Sequence, residues 1–180
     1  MRIDCYVSAM NTEIALLFPV ALSILTLWAM ATDAYAYRIP NMVNLAIILL
    51  FPIALFATDA PLNWQNALLG FALVFAVGFV LFVANIMGGG DVKMLAAISL
   101  WLEYGRILLD FFLLMSILGG ILTLFLLSSR KYAPFIALKM RKNHIPKLFT
   151  HGEPVPYGIA IGIAFLWLLW AGKLAIYVNI

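Results

Sequence analysis

The chain has 180 residues, 66% of them hydrophobic and 11% charged, with a formal net charge of +3. Soluble domains carry roughly 25% charged residues, so this composition and a mean hydropathy of +1.07 exclude a soluble enzyme and indicate a membrane protein. A single cysteine, Cys5, excludes an internal disulfide and a Cys-rich zinc site.

Residues 1–13 mix Arg2, Asp4 and Glu13 ahead of a long apolar run, a pattern that predicts a spanning helix rather than a cleaved signal peptide. Ile14 to Ala31 is the first expected span, since about 20 apolar residues cross a bilayer core. A mixed segment, Thr32 to Arg38, contains Asp33. Ile39-Pro40-Asn41 then opens a second helix, ending near Phe56 and interrupted by Pro52. After a polar turn at 58–63, a third helix is expected over Ala67 to Met87, 21 residues without a charge. The break at Gly88-Gly89-Gly90 precedes a short fourth helix over Asp91 to Leu102, too short to span alone. A fifth helix is expected over Ile107 to Leu127 and a sixth over Tyr157 to Tyr177. Gly119-Gly120 suits close packing, and Gly158 and Gly162 form a small-xxx-small face. The expected fold is thus an all-α integral membrane protein, a bundle of six transmembrane helices, the fourth short and following a Gly-rich break. No polar linker divides it, so residues 1–180 form one domain.

Residues 128–156 are expected to form a basic loop. They hold six of the eleven Lys and Arg against one acid, Glu153. Cytoplasmic loops collect such residues, so this segment is placed inside, and counting crossings puts Asp33 and Asp91 on the same inner face. With Arg38 and Lys93, that face then holds eight basic residues against three elsewhere. The basic segment reads as a topology signal and an anionic-lipid contact rather than a nucleic-acid site. His144 and His151 lie in it without acids suited to a metal, and no metal or cofactor is expected. Asp59 and Asp110 belong to the opposite side as structural residues.

An acid carried toward a bilayer core costs about 2.5–3.5 kcal/mol and calls for a function. Asp33 closes the first helix and Asp91 opens the fourth, so two acids distant in sequence meet one membrane face. Carboxylates that converge cannot both ionise cheaply; one holds a proton and donates it, and the other accepts one from water. The helix amino end favours Asp91 as the ionised member, with Asp33 protonated. The glycines clear the approach to Asp91, with Gly90 the position where added bulk should block it and Gly89 the tolerant one. Lys93, two residues from Asp91, points to another helix face and reads as interfacial snorkelling.

Gly88-Gly89-Gly90-Asp91-Val92-Lys93 resembles the G-x-G-D-x-K signature of the type IV prepilin peptidases, the GxGD aspartic membrane proteases. Asp33 a few residues before Ile39-Pro40-Asn41 fits the first aspartate of that family, and Pro156-Tyr157-Gly158 resembles the opening of its last helix. The resemblance covers about residues 14–180. It implies an endopeptidase of the inner (cytoplasmic) membrane that removes the leader of prepilins or pseudopilins on the cytoplasmic side, with Asp33 and Asp91 as catalytic pair. It also implies the pilus or secretion assembly machinery as a partner. Gly88, Gly90, Lys93, Pro40, Asn41, Pro156, Tyr157 and Gly158 would be motif or substrate-binding residues. The chain lacks the Cys-x-x-Cys insert of the two-function members, so it resembles the short form of Flp or Tad-type systems and no methyltransferase domain is expected. The competing readings are a small proton- or ion-coupled transporter component, since a broken helix with an acid also describes carriers, and a non-catalytic scaffold for pilus assembly.

Overall fold

A computed structural model describes residues 2–58, 61–139 and 155–174. The described residues form six helices in chain order: α1 (Arg2–Ala36), α2 (Asn41–Ala57), α3 (Trp64–Val83), α4 (Gly89–Leu102), α5 (Arg106–Lys139) and α6 (Tyr157–Trp170). Three segments are long and apolar enough to cross a membrane: Leu16–Ala36, Trp64–Val83 and Arg106–Lys131. Helices α2 and α6 are apolar but shorter. At 1.5 Å per residue, α4 and α6 rise only about 21 Å, less than a hydrocarbon core of about 30 Å. In place of the expected six transmembrane helices, the described residues form six helices with three candidate spans.

Backbone geometry accounts for where the helices stop. Asn85 adopts φ +58 and its N–H bonds the Phe82 carbonyl, so α3 ends at Val83, short of the expected Met87. Gly88 caps α4, which starts at Gly89 and makes Asp91 its third residue. Gly172 takes φ +67 just past α6, and its N–H and that of Lys173 close on Leu169 and Leu168. That left-handed cap ends α6 at Trp170 instead of Tyr177. Ser128 to Lys139, expected as loop, continue α5, and Arg130 is buried on it. The rest of the basic segment at 140–154, with His144, His151 and Glu153, lies outside the described residues, as does Asp59.

Helix α4 is the centre of the fold. Every residue from Met94 to Leu102 is buried, and α4 packs against α2, α3, α5 and α6. A helix apolar on all sides is stable where protein covers all of it, so α4 forms the core of the bundle. Trp101 anchors it: the indole N–H donates to the Ile47 carbonyl at 3.1 Å, and its ring meets Phe51 edge-on at 5.5 Å. The surface of α3 is the reverse, with Leu68, Leu69, Leu73, Phe79, Val80 and Val83 exposed on a helix made for lipid.

The connections sort into two ends. At one, Asn63 N–H donates to the Glu103 carboxylate at 2.9 Å and Tyr104 N–H to the Asn66 carbonyl at 2.9 Å, tying the α4–α5 turn to the start of α3. At the other, Ile39 of the α1–α2 connection lies against Gly90, and Lys93 of α4 reaches Asn41 of α2. That second end gathers the last turn of α1 and the first turns of α2, α4 and α6.

Candidate active site

Asp33 sits in the last turn of α1, its backbone carbonyl accepting from Tyr37 N–H at 2.9 Å. Its side chain is 5% exposed. One carboxylate oxygen, Oδ2, accepts the backbone N–H of Gly158 at 2.8 Å, a bond between residues 125 apart in sequence. Gly158 is the second residue of α6, where N–H groups have no partner within the helix. Asp33 thereby satisfies one of them and sits at the positive end of the helix dipole.

This approach depends on Gly158 having no side chain. A Cβ there would stand 2.7 Å from Asp33 Oδ2 and 3.0 Å from its Cγ. Further along, a Cβ at Gly162 would overlap Met30. The small-xxx-small face of α6 thus serves its contact with α1. The same helix turns the other way toward α5, where Tyr157 lies against Gly119 and its hydroxyl is 3.4 Å from Thr123 Oγ1. Pro156, buried, precedes the first residue of α6 as its cap.

Asp91 reaches the same place from α4. It is half-buried, and its carboxylate is close enough to that of Asp33 for their charges to repel. Two helix amino ends, of α4 and α6, face this pair, and their dipoles offset part of the repulsion. A helix amino end was the reason to distinguish Asp91 as the ionised member. Since Asp33 also has one, that criterion does not separate the two acids.

The glycines divide differently from the expectation. A Cβ at Gly88 would meet Asp91 Oδ2 at 3.1 Å, so Gly88 borders the acid. A Cβ at Gly90 would make ordinary contact with Ile39 at 3.4 Å, so Gly90 serves the packing of α4 on the α1–α2 connection. At Gly89 the neighbour is the exposed Phe82 ring, 3.2 Å away. Lys93 does more than snorkel: its Nζ donates to Asn41 Oδ1 at 2.9 Å and joins the first turns of α4 and α2. Pro40, extended at φ −62 and ψ 133, caps α2 and its carbonyl accepts from Val43 N–H.

The structure therefore brings Asp33, Asp91, Gly88 and Gly158 together, with Gly90, Lys93, Pro40 and Asn41 holding the surrounding turns. Tyr157 stands on the α5 side, and Pro156 is the cap of α6. Asn44 escaped the sequence reading although it is the one polar residue in the apolar run Met42 to Phe56. It is buried on α2, one turn after Asn41. Among the described residues no three His, Cys, Asp or Glu side chains group as metal ligands. Two carboxylates in this arrangement can hold one proton between them, so that one side accepts from water while the other donates to a carbonyl oxygen.

No curated relative and no solved structure matches the chain. The family comparison is decisive over its central part. Residues 20–124, which run from α1 into α5 and carry both aspartates, match the type IV leader peptidase family, and the chain belongs to it.

Proposed function

We propose that this protein is an aspartic endopeptidase that removes the leader peptide of type IV prepilins or pseudopilins at the cytoplasmic face of the inner membrane. Asp33 and Asp91 activate the attacking water and protonate the scissile carbonyl between them. The observation that carries the reading is the convergence of these two acids, from α1 and α4, beneath two helix amino ends in a member of a leader peptidase family. A single acid at a glycine break would serve an ion carrier equally well; two acids close enough to share one proton suit general acid–base hydrolysis.

Co-expression with candidate prepilins tests it directly. A cleaved leader shortens the pilin and shifts it on a gel, and a pilin that keeps its full length with every candidate rejects the assignment of substrate. The basic segment supplies a second test. A tag near Lys142 should be protected from external label in intact cells, and one at residue 60 should be accessible. An external residue 142 would put the acids on the wrong side for leader removal.

A further inference from the structure

Asn44 has an environment that a structural asparagine rarely keeps. It is 3% exposed, and neither its Oδ1 nor its Nδ2 has a hydrogen-bond partner among the described residues. Buried polar groups are as a rule bonded, and leaving one unmade is costly. Several other buried polar groups follow the rule: Ser99 bonds the Ala96 carbonyl, Trp101 donates to the Ile47 carbonyl, and Asp33 accepts the Gly158 N–H.

Its position is fixed by the elements around it. Helices α1 and α2 pack together and are joined by the short connection at 37–40, so they run antiparallel. Asp33 lies three residues before the end of α1, and Asn44 three residues after the start of α2. At 1.5 Å per residue both sit about 4.5 Å below the connection, at one depth. Helix α4 runs alongside α2 in the same direction, as Gly90 against Ile39, Lys93 on Asn41 and Trp101 on Ile47 show. Asn44 shares its stripe with Ile47 and Phe51, the residues that meet Trp101, so it belongs to the side of α2 that faces the bundle. Thr26, whose hydroxyl is also unpartnered among the described residues, lies two turns below Asp33.

We propose that Asn44 is a substrate-binding residue at the depth of Asp33, whose amide pairs with one peptide group of the extended leader segment near the scissile bond. A primary amide offers one carbonyl acceptor and an NH2 donor, the complement of a backbone N–H and C=O. An extended peptide presents such groups at every residue, so this pairing holds the chain against the acids without reading its side chains. Asn41, one turn nearer the surface, has its Oδ1 engaged by Lys93, whereas both amide atoms of Asn44 are unpaired among the described residues. The inference rests on the leader-peptidase reading above.

The test uses the full-length enzyme in detergent or nanodiscs and a synthetic peptide with a basic leader, a glycine and the apolar residues that follow. A series of this peptide replaces one backbone N–H at a time, away from the scissile bond, by an ester oxygen. In the wild type one position is expected to cost about tenfold in kcat/KM. Asn44→Leu should lower kcat/KM for the all-amide peptide by about 10- to 100-fold and reduce that ester penalty to within about twofold, and Asn44→Ala should repeat the pattern. Ester penalties that are the same in wild type and folded variant at every position would mean that the amide only supports the fold, and overturn the inference. Wild-type kcat/KM in Asn44→Leu overturns it as well. So does a wild type indifferent to the ester at every position, which requires no variant to fold. A wild type that cuts no leader peptide rejects the peptidase reading itself and this inference with it, a result distinct from the others.

Discussion

Asp33→Asn and Asp91→Asn should each lower leader cleavage by about 10²- to 10⁴-fold, the range that a positioned acid or base contributes. Asparagine keeps the size and the acceptor oxygen of the carboxyl, so Asp33→Asn can still accept the Gly158 N–H through Oδ1 and preserve the contact of α1 with α6. What it loses is the exchangeable proton. Because the acids act as one unit, the double variant should be about as inactive as either single one. Membrane yield and melting in detergent have to stay near wild type for the result to concern chemistry. Near-normal processing by either folded single variant would remove that residue from the mechanism, and near-normal processing by both would favour a scaffold.

Gly158→Ala should cost about a hundredfold in specific activity, although it adds one methyl to a residue that takes no part in proton transfer. The added carbon would fall 2.7 Å from Asp33 Oδ2 and 3.1 Å from its Cβ, so the aspartate and the amino end of α6 must move apart. Displacement of a reacting group by about 1 Å is enough for a loss of that order. The comparison is Gly90→Ala, whose methyl would rest at 3.4 Å on Ile39 and should leave activity within about threefold. Gly90→Val, with more bulk against the same residue, should fall between the two. Specific activity per folded molecule separates these effects from lost protein. If folded Gly158→Ala cleaves normally, the bond from Gly158 to Asp33 does not position the acid, and α6 is only a packing partner of α1.

Much of this protein is legible along the chain because the deciding properties are local. Hydropathy marks the apolar helices, the Gly-rich break separates α3 from α4, and an acid in an apolar context stands out whatever surrounds it. The motifs around Asp33 and Asp91 likewise lie within short stretches, and the family match over residues 20–124 spans both. Helix ends were less legible. Ser128 to Lys139 read as loop from their charge, yet helical bonding continues through them, since Lys and Arg are good helix formers and charge alone does not end a helix.

Only the tertiary structure decided which apolar surface faces protein and which faces lipid. In water a helix shows its buried side by a polar opposite face, but in a bilayer both sides are apolar, so the apolar stretches of α3 and α4 carry no such sign of which is buried. One is mostly exposed and the other buried on every side. For the same reason nothing in the order of residues indicates that Gly158 meets Asp33 across 125 positions, that Lys93 takes Asn41, or that Asn44 ends up buried at the depth of Asp33 with its amide unpaired among the described residues. Those pairings follow from the register and crossing of packed helices, which no periodicity within a single helix encodes.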